Sequence, residues 1–136
     1  IPEVYVRDFE DLLIGIVSGN TPNCVYNGRC GEYLVVEYNG NVYPCDFFVE
    51  PEWLLGNVNE TRIEELYISE KMTRFKDSRK LHQTCTDCSW IGYCHGGCQK
   101  TMFEEENYFC ESIKYFLEQR ETELSVIASR VSVKYR

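Results

Sequence analysis

The chain has 136 residues, 43% hydrophobic and 26% charged, which is room for one ordinary globular domain. Its apolar runs stop well short of the roughly 18 residues that a membrane span needs, so no membrane role is expected. A formal charge of -8, from 22 acidic and 14 basic residues, repels a phosphate backbone, and no basic face offsets it; nucleic acid is not an expected partner.

The first residue is Ile1 rather than methionine, as expected of a piece cut from a longer chain, and no signal-peptide pattern is visible. Residues 4 to 7 alternate weakly and predict a short strand. Phe9, Leu12, Leu13, Ile16 and Val17 then recur at helical spacing, and Ser18-Gly19-Asn20 should end that helix. A loop of turn formers follows, with Thr21-Pro22-Asn23 and Asn27-Gly28 beside the first two cysteines. Residues 33 to 38, Asn39-Gly40 and residues 41 to 43 carry the signature of a β-hairpin with a type I′ turn. Ile63, Leu66 and Tyr67 mark one short helix, and Met72, Phe75 and Leu81 a second that starts near Ser69. From Leu81 to Met102 periodicity is lost, and a loop of that length needs something other than an apolar face to order it. Ile113, Phe116, Leu117, Leu124, Ile127 and Val131 predict an amphipathic helix over about 109 to 132.

The cysteines read Cys24-x5-Cys30-x14-Cys45, then 39 residues, then Cys85-x2-Cys88-x5-Cys94-x3-Cys98-x11-Cys110. Eight thiols make two sets of four. The clustered run on a glycine-containing loop can converge on one centre at little loop-closure cost. Four disulfides are the plainer alternative, but 8 of 136 residues, about 6%, lies below the roughly 8 to 10% of disulfide scaffolds. Two tetrahedral zinc sites would also use all eight, and spacing alone leaves zinc and iron–sulfur equally open.

Cys30-Gly31, the run Val36 to Asp46 with its Asn39-Gly40 and Pro44-Cys45-Asp46, Leu55-Gly56-Asn57-Val58 and Cys94-His95-Gly96-Gly97-Cys98 together resemble the SPASM domain of radical SAM enzymes. The resemblance runs from about residue 21 to 116 and is nearest to the anaerobic sulfatase-maturating enzymes. It implies a small α+β domain, organised by metal clusters, with a β-hairpin, cysteine-rich loops and packed helices. Residues 1 to 20 would be the tail of a preceding partial barrel and a linker, and residues 21 to 136 the domain with its C-terminal helix.

By the same resemblance the domain carries two 4Fe-4S clusters, one on Cys24, Cys30, Cys45 and Cys98, the other on Cys85, Cys88, Cys94 and Cys110. Zinc could take their place in a fragment prepared in air. Asp46, directly after the third cysteine, would be the catalytic base that removes a proton as the substrate radical is oxidised, although by itself an Asp at a strand end reads as a turn residue. S-adenosylmethionine and a third 4Fe-4S cluster would belong to a preceding domain, since the CxxxCxxC signature is absent here; the fragment alone is not expected to be active. The implied partners are a peptide or protein substrate, a sulfatase whose Cys or Ser becomes formylglycine, and an external electron carrier such as a ferredoxin or flavodoxin, in the cytoplasm. Other readings are a peptide-maturase of the same wider group acting on a ribosomal peptide, and a structural zinc module without redox role.

Among the remaining residues, His95 is not needed as a ligand once eight thiols serve two centres, and His82 reads as a surface residue. Gly96-Gly97 lacks the Lys-Ser/Thr of a phosphate loop and suits close backbone approach to a cluster, with amides donating to sulfur. Phe47, Phe48 and Trp53 are candidates to border a substrate cavity.

Overall fold

Leu12, Leu117 and Leu124 are almost wholly buried against one another and hold together the first of two units in this computed structural model, which describes residues 4–104 and 106–134. That unit comprises the chain up to Gly28 and from Leu81 onward; the second is Arg29–Lys80. The chain is α+β, as its resemblance implied, with seven α-helices and five short strands among the described residues.

In the first unit, α1 (Arg7–Ser18) ends at a left-handed Gly19 whose amide returns to the Gly15 carbonyl. Its apolar face packs on α7 (Cys110–Lys134), with Phe9 stacked on Phe116 at 5.2 Å and Leu13, Ile16, Ile113 and Phe116 around the leucines. Complete burial of a leucine such as Leu117 is worth about 1.5–3 kcal/mol, so three of them anchor a pair of helices that neither could hold alone. Between these long helices lie three single turns: α2 (Cys24–Asn27), α5 (Gln83–Thr86) and α6 (Ile91–Cys94). Trp90 and Tyr93 tie α6 to the leucine cluster. A two-stranded ribbon, β4 (Met102–Phe103) with β5 (Glu106–Asn107), leads into α7.

The second unit is a three-stranded antiparallel sheet in the order β1 (Val35–Val36), β2 (Asn41–Tyr43), β3 (Gly56–Asn57), followed by α3 (Ile63–Tyr67) and α4 (Glu70–Asp77). Ser69 caps α4 by accepting from the Met72 amide, at the position the sequence marked as its start. Phe75 is 1% exposed and receives Phe48 and Trp53 edge-on at 5.2 and 5.0 Å. These two rings are half-buried against Phe75, and Phe47 is exposed.

Three expectations are corrected. Residues 4 to 6 form no strand, and Arg7 already opens α1: Val4 and Tyr5 are exposed and pair with no strand among the described residues. The hairpin turn is not type I′: the Gly40 amide donates to Glu37 O at 2.8 Å, and of the turn residues only Gly40 has positive φ, 85°. This is a type I turn closed by a left-handed glycine, the three-residue alternative. The stretch from Leu81 to Met102, expected to be irregular, contains α5 and α6. Phe75→Ala is expected to cost about 3–5 kcal/mol, since it empties the centre of the second unit; the shift in denaturant midpoint of the cluster-loaded protein measures it.

Candidate metal centres

None of the eight cysteines is joined in a disulfide, which sets the disulfide alternative aside. Each unit contributes its own set of sites, and they differ in character.

In the first unit Cys85 lies on α5, Cys88 on the turn after it, Cys94 at the end of α6 and Cys110 at the start of α7. All four line one cavity, walled by Trp90, Ile91 and Ile113 and rimmed by Lys114. The segments around Cys85 and Cys94 are built for this convergence. His82 caps α5 by accepting from the Thr84 amide at 3.3 Å, a role the sequence did not suggest. His95 takes the left-handed conformation, φ 47°, and its Nδ1 lies 2.6 Å from the Tyr26 carbonyl oxygen, so the ring donates there. Tyr26 in turn donates to Asp8 at 2.9 Å, and Asn23 donates to the buried Asp11 at 2.8 Å while capping α2. Cys24, the first residue of α2, is thus held on a turn tied both to α1 and to α6.

Burial pushes the Cys94 thiol above its ordinary pKa; the Gly96 amide, donating to it, pulls the other way, and the neighbouring Cys85 and Cys88 charges push it up further. Cys110 is also raised, by burial first and by Glu106, with Lys114 opposing. Its sulfur and the carboxylates of Glu106 and Glu111 lie within 4.8 Å of one another. A pocket in which burial first of all holds Cys94 and Cys110 back from ionising fits a group that supplies positive charge and binds thiolate.

The residue that fixes this pocket was not visible in the sequence. Asn107, 8% exposed, donates from Nδ2 to Gly96 O at 3.2 Å and to Thr101 Oγ1 at 2.9 Å, and its Oδ1 accepts from the Phe109 amide at 2.8 Å. One side chain therefore clamps the loop after Cys94 to the start of the helix that begins with Cys110. The clamp requires glycine at 97, where φ is 74° and a Cβ would stand 2.0 Å from Asn107 Nδ2. Cys98 lies just beyond, its sulfur accepting from the Lys100 amide at 3.4 Å.

In the second unit Cys30 stands in the loop before the sheet, and Cys45 follows β2, 8% exposed. Asp46, exposed, is the next residue and opens a single 3-10 turn, Asp46–Phe48. Tyr33 O–H donates to Asp46 Oδ1 at 2.5 Å, and the same phenol oxygen is 3.5 Å from Cys45 Sγ. The Cys45 sulfur is itself 3.4 Å from Asp46 Oδ1. The phenol's hydrogen bond holds the Asp46 carboxyl below its usual range, and burial is the main cause that raises the Cys45 thiol. The four cysteines of the other expected set are divided two and two, Cys24 and Cys98 in the first unit and Cys30 and Cys45 in the second.

Residues 24–89 match the family model of SPASM, an iron–sulfur cluster-binding domain. Similar along almost its whole length is the cysteine-type anaerobic sulfatase-maturating enzyme of Clostridium perfringens, 38% identical over 135 residues, which are 94% of this chain and 36% of that protein. The serine-type enzyme of Bacteroides thetaiotaomicron is 29% identical over 126 residues, 85% of this chain and 30% of that one. Among solved structures, native anSMEcpe with bound AdoMet and Cp18Cys peptide superposes with a TM-score of 0.87 at 37% identity, covering 95% of this chain and 38% of that one.

The fold is thus that of a SPASM iron–sulfur domain. Within that class the chain is homologous to the anaerobic sulfatase-maturating enzymes, and it spans little more than a third of the length of the curated relatives it matches.

Asn107→Leu, which removes three hydrogen bonds from the clamp while keeping similar bulk, is expected to weaken metal retention about 10- to 100-fold, measured as iron lost to a chelator under anaerobic conditions.

Proposed function

We propose that this chain is the auxiliary-cluster region of a radical SAM enzyme that oxidises a cysteine or serine of a sulfatase to formylglycine. The observation that carries the reading is the convergence of Cys85, Cys88, Cys94 and Cys110 on one cavity in a chain with SPASM homology. These four hold one 4Fe-4S cluster, and Cys24, Cys30, Cys45 and Cys98 are assigned to a second by the family resemblance. When bound, the clusters supply a one-electron acceptor. Iron rather than zinc follows from the family match, which zinc geometry would not explain.

The chain's own residues then have separate tasks. The cysteines bind as thiolates, which the irons' charge makes possible at positions where burial opposes ionisation. Trp90, Ile91 and Ile113 exclude water from one site, which strengthens its electrostatics. Asp46, ionised below the usual carboxylate range and exposed, is free to accept the proton that must leave the substrate as it is oxidised. The substrate is a peptide segment of a sulfatase, by analogy with the peptide bound to the solved homologue. Residues 1–20 belong to the end of a preceding barrel that binds S-adenosylmethionine and a third cluster, and residues 21–136 form the auxiliary domain. An external ferredoxin or flavodoxin exchanges electrons with the enzyme in the cytoplasm, where thiols stay reduced. No helix among the described residues is long and apolar enough to cross a membrane.

Anaerobic reconstitution is expected to give a brown protein with about eight irons per chain, falling to about four when Cys85, Cys88 and Cys94 are replaced by serine; a colourless protein with about two zincs would overturn the reading. In the full-length enzyme, Asp46→Asn is expected to reduce formylglycine formation by roughly 10² to 10⁴ while cleavage of S-adenosylmethionine continues, both followed by mass spectrometry and chromatography.

A further inference from the structure

Asp46, Cys45 and Tyr33 form a triangle of side chains. Their separations are 2.5 Å from phenol to carboxylate, 3.5 Å from phenol to sulfur and 3.4 Å from sulfur to carboxylate. With Cys45 a bound thiolate and Asp46 ionised, two anionic groups would face each other at 3.4 Å. Neither could then donate a hydrogen bond to the other. Tyr33 brings the donor hydrogen of the triangle, and it stands where both anions can use its positive end. It comes from the segment before β1, on the other side of the sheet hairpin from Asp46, so its position is fixed by the pairing of β1 with β2 and does not move with the Asp46 turn.

We infer that Tyr33 is a positioning residue for the reaction assigned to Asp46: its phenol fixes the carboxylate's direction and screens it from the Cys45 sulfur. The inference rests on the assignment of Asp46 as base and Cys45 as cluster ligand made above. Without the phenol, the carboxylate would be repelled by the thiolate and rotate toward water, losing the orientation that proton abstraction needs. The phenol's one hydrogen goes to Asp46, but with the Cys45 sulfur 3.5 Å from the same oxygen its positive end also reaches the sulfur, and a positive end beside a cluster sulfur favours the more negative, reduced state.

The test is a double-mutant cycle in the full-length, cluster-loaded enzyme. Tyr33→Phe is expected to lower kcat about 10- to 100-fold with KM for a cysteine-containing sulfatase peptide unchanged. In an Asp46→Asn background the same change is expected to cost nothing further, because a residue acting through Asp46 has nothing left to position. In that background, where no carboxylate charge can move, EPR-monitored titration is expected to show a more negative potential for the cluster bound by Cys45 once Tyr33 is Phe. Wild-type turnover by Tyr33→Phe beside an inactive Asp46→Asn would overturn the inference and leave the base assignment standing. Full turnover by Asp46→Asn alone would overturn the base assignment, and the positioning role with it. Should Tyr33→Phe fail to retain iron, 3-fluorotyrosine at position 33 keeps the ring and strengthens the donor; a potential shifted to more positive values supports the inference, and an unchanged one sinks it.

Discussion

Burial opposes the ionisation of thiols that neighbouring negative charge then holds back further, and this electrostatic conflict is what the first unit is arranged around. Cys94 is pushed up by burial and by the charges of Cys85 and Cys88, and Cys110 by burial and Glu106. Left to themselves, these groups would stay protonated or turn outward to water. A positively charged inorganic centre reverses the balance, since each thiolate then gains an attraction that outweighs its neighbours' repulsion. The helical turns that carry the ligands are four residues each, far below the length at which a helix is stable on its own. Their order has to come from the ligands they present and from Asn107, His95 and His82, which close their ends.

The second unit follows a different logic. Its core is an ordinary aromatic one, with Phe75 between Phe48 and Trp53 and Met72 and Leu66 beside it, so it has packing enough to place Cys45 and Asp46 rigidly at the end of β2. That rigidity is useful for a site expected to work by proton removal, where an error of an ångström in the base weakens transfer. Side-chain contacts from Tyr33 reach the same point from β1's side. Placement of the proposed base thus falls to an apolar core, whereas the thiol pocket of the first unit depends on what its cysteines would bind.

How much of this was legible in the sequence depended on range. The long helices showed themselves through their apolar stripes: Leu12, Leu13 and Ile16 on one, Ile113, Phe116, Leu117 and Leu124 on the other, which meet in the structure. A single four-residue turn shows no apolar repeat, so α2, α5 and α6 left no trace. The Asn39-Gly40 pair announced the hairpin but not its turn type, because both candidate turns want a left-handed glycine there. The choice is made at a distance: Gly40 O accepts from the Val58 amide at 2.9 Å and Asn39 O from Asn57 Nδ2 at 3.0 Å, bonds supplied by the third strand.

The same rule separates the parts of the site. Cysteine spacing carries part of its meaning within the sequence, since thiols this close on a glycine-bearing chain have few other uses, although the cavity is lined by Cys110 and not by Cys98. Asn107 and Tyr33 carry theirs only in three dimensions. Asn107 acts on Gly96, 11 residues away, and Tyr33 on Asp46, 13 away, and either residue alone would read as an ordinary polar or aromatic side chain. Asn107 cannot be replaced by a closer partner, because Gly97 leaves room for one side chain and Asn107 fills it. Ligands can therefore be recognised by type, whereas the groups that aim them are recognised only by what they touch. In a domain whose loops are ordered by metal, those aiming groups decide whether the thiols are preorganised for a cluster or must be gathered by it. Where they are preorganised, as the Asn107 clamp does for the segments of Cys94 and Cys110, less of the binding energy goes into ordering the chain and more remains to hold the metal.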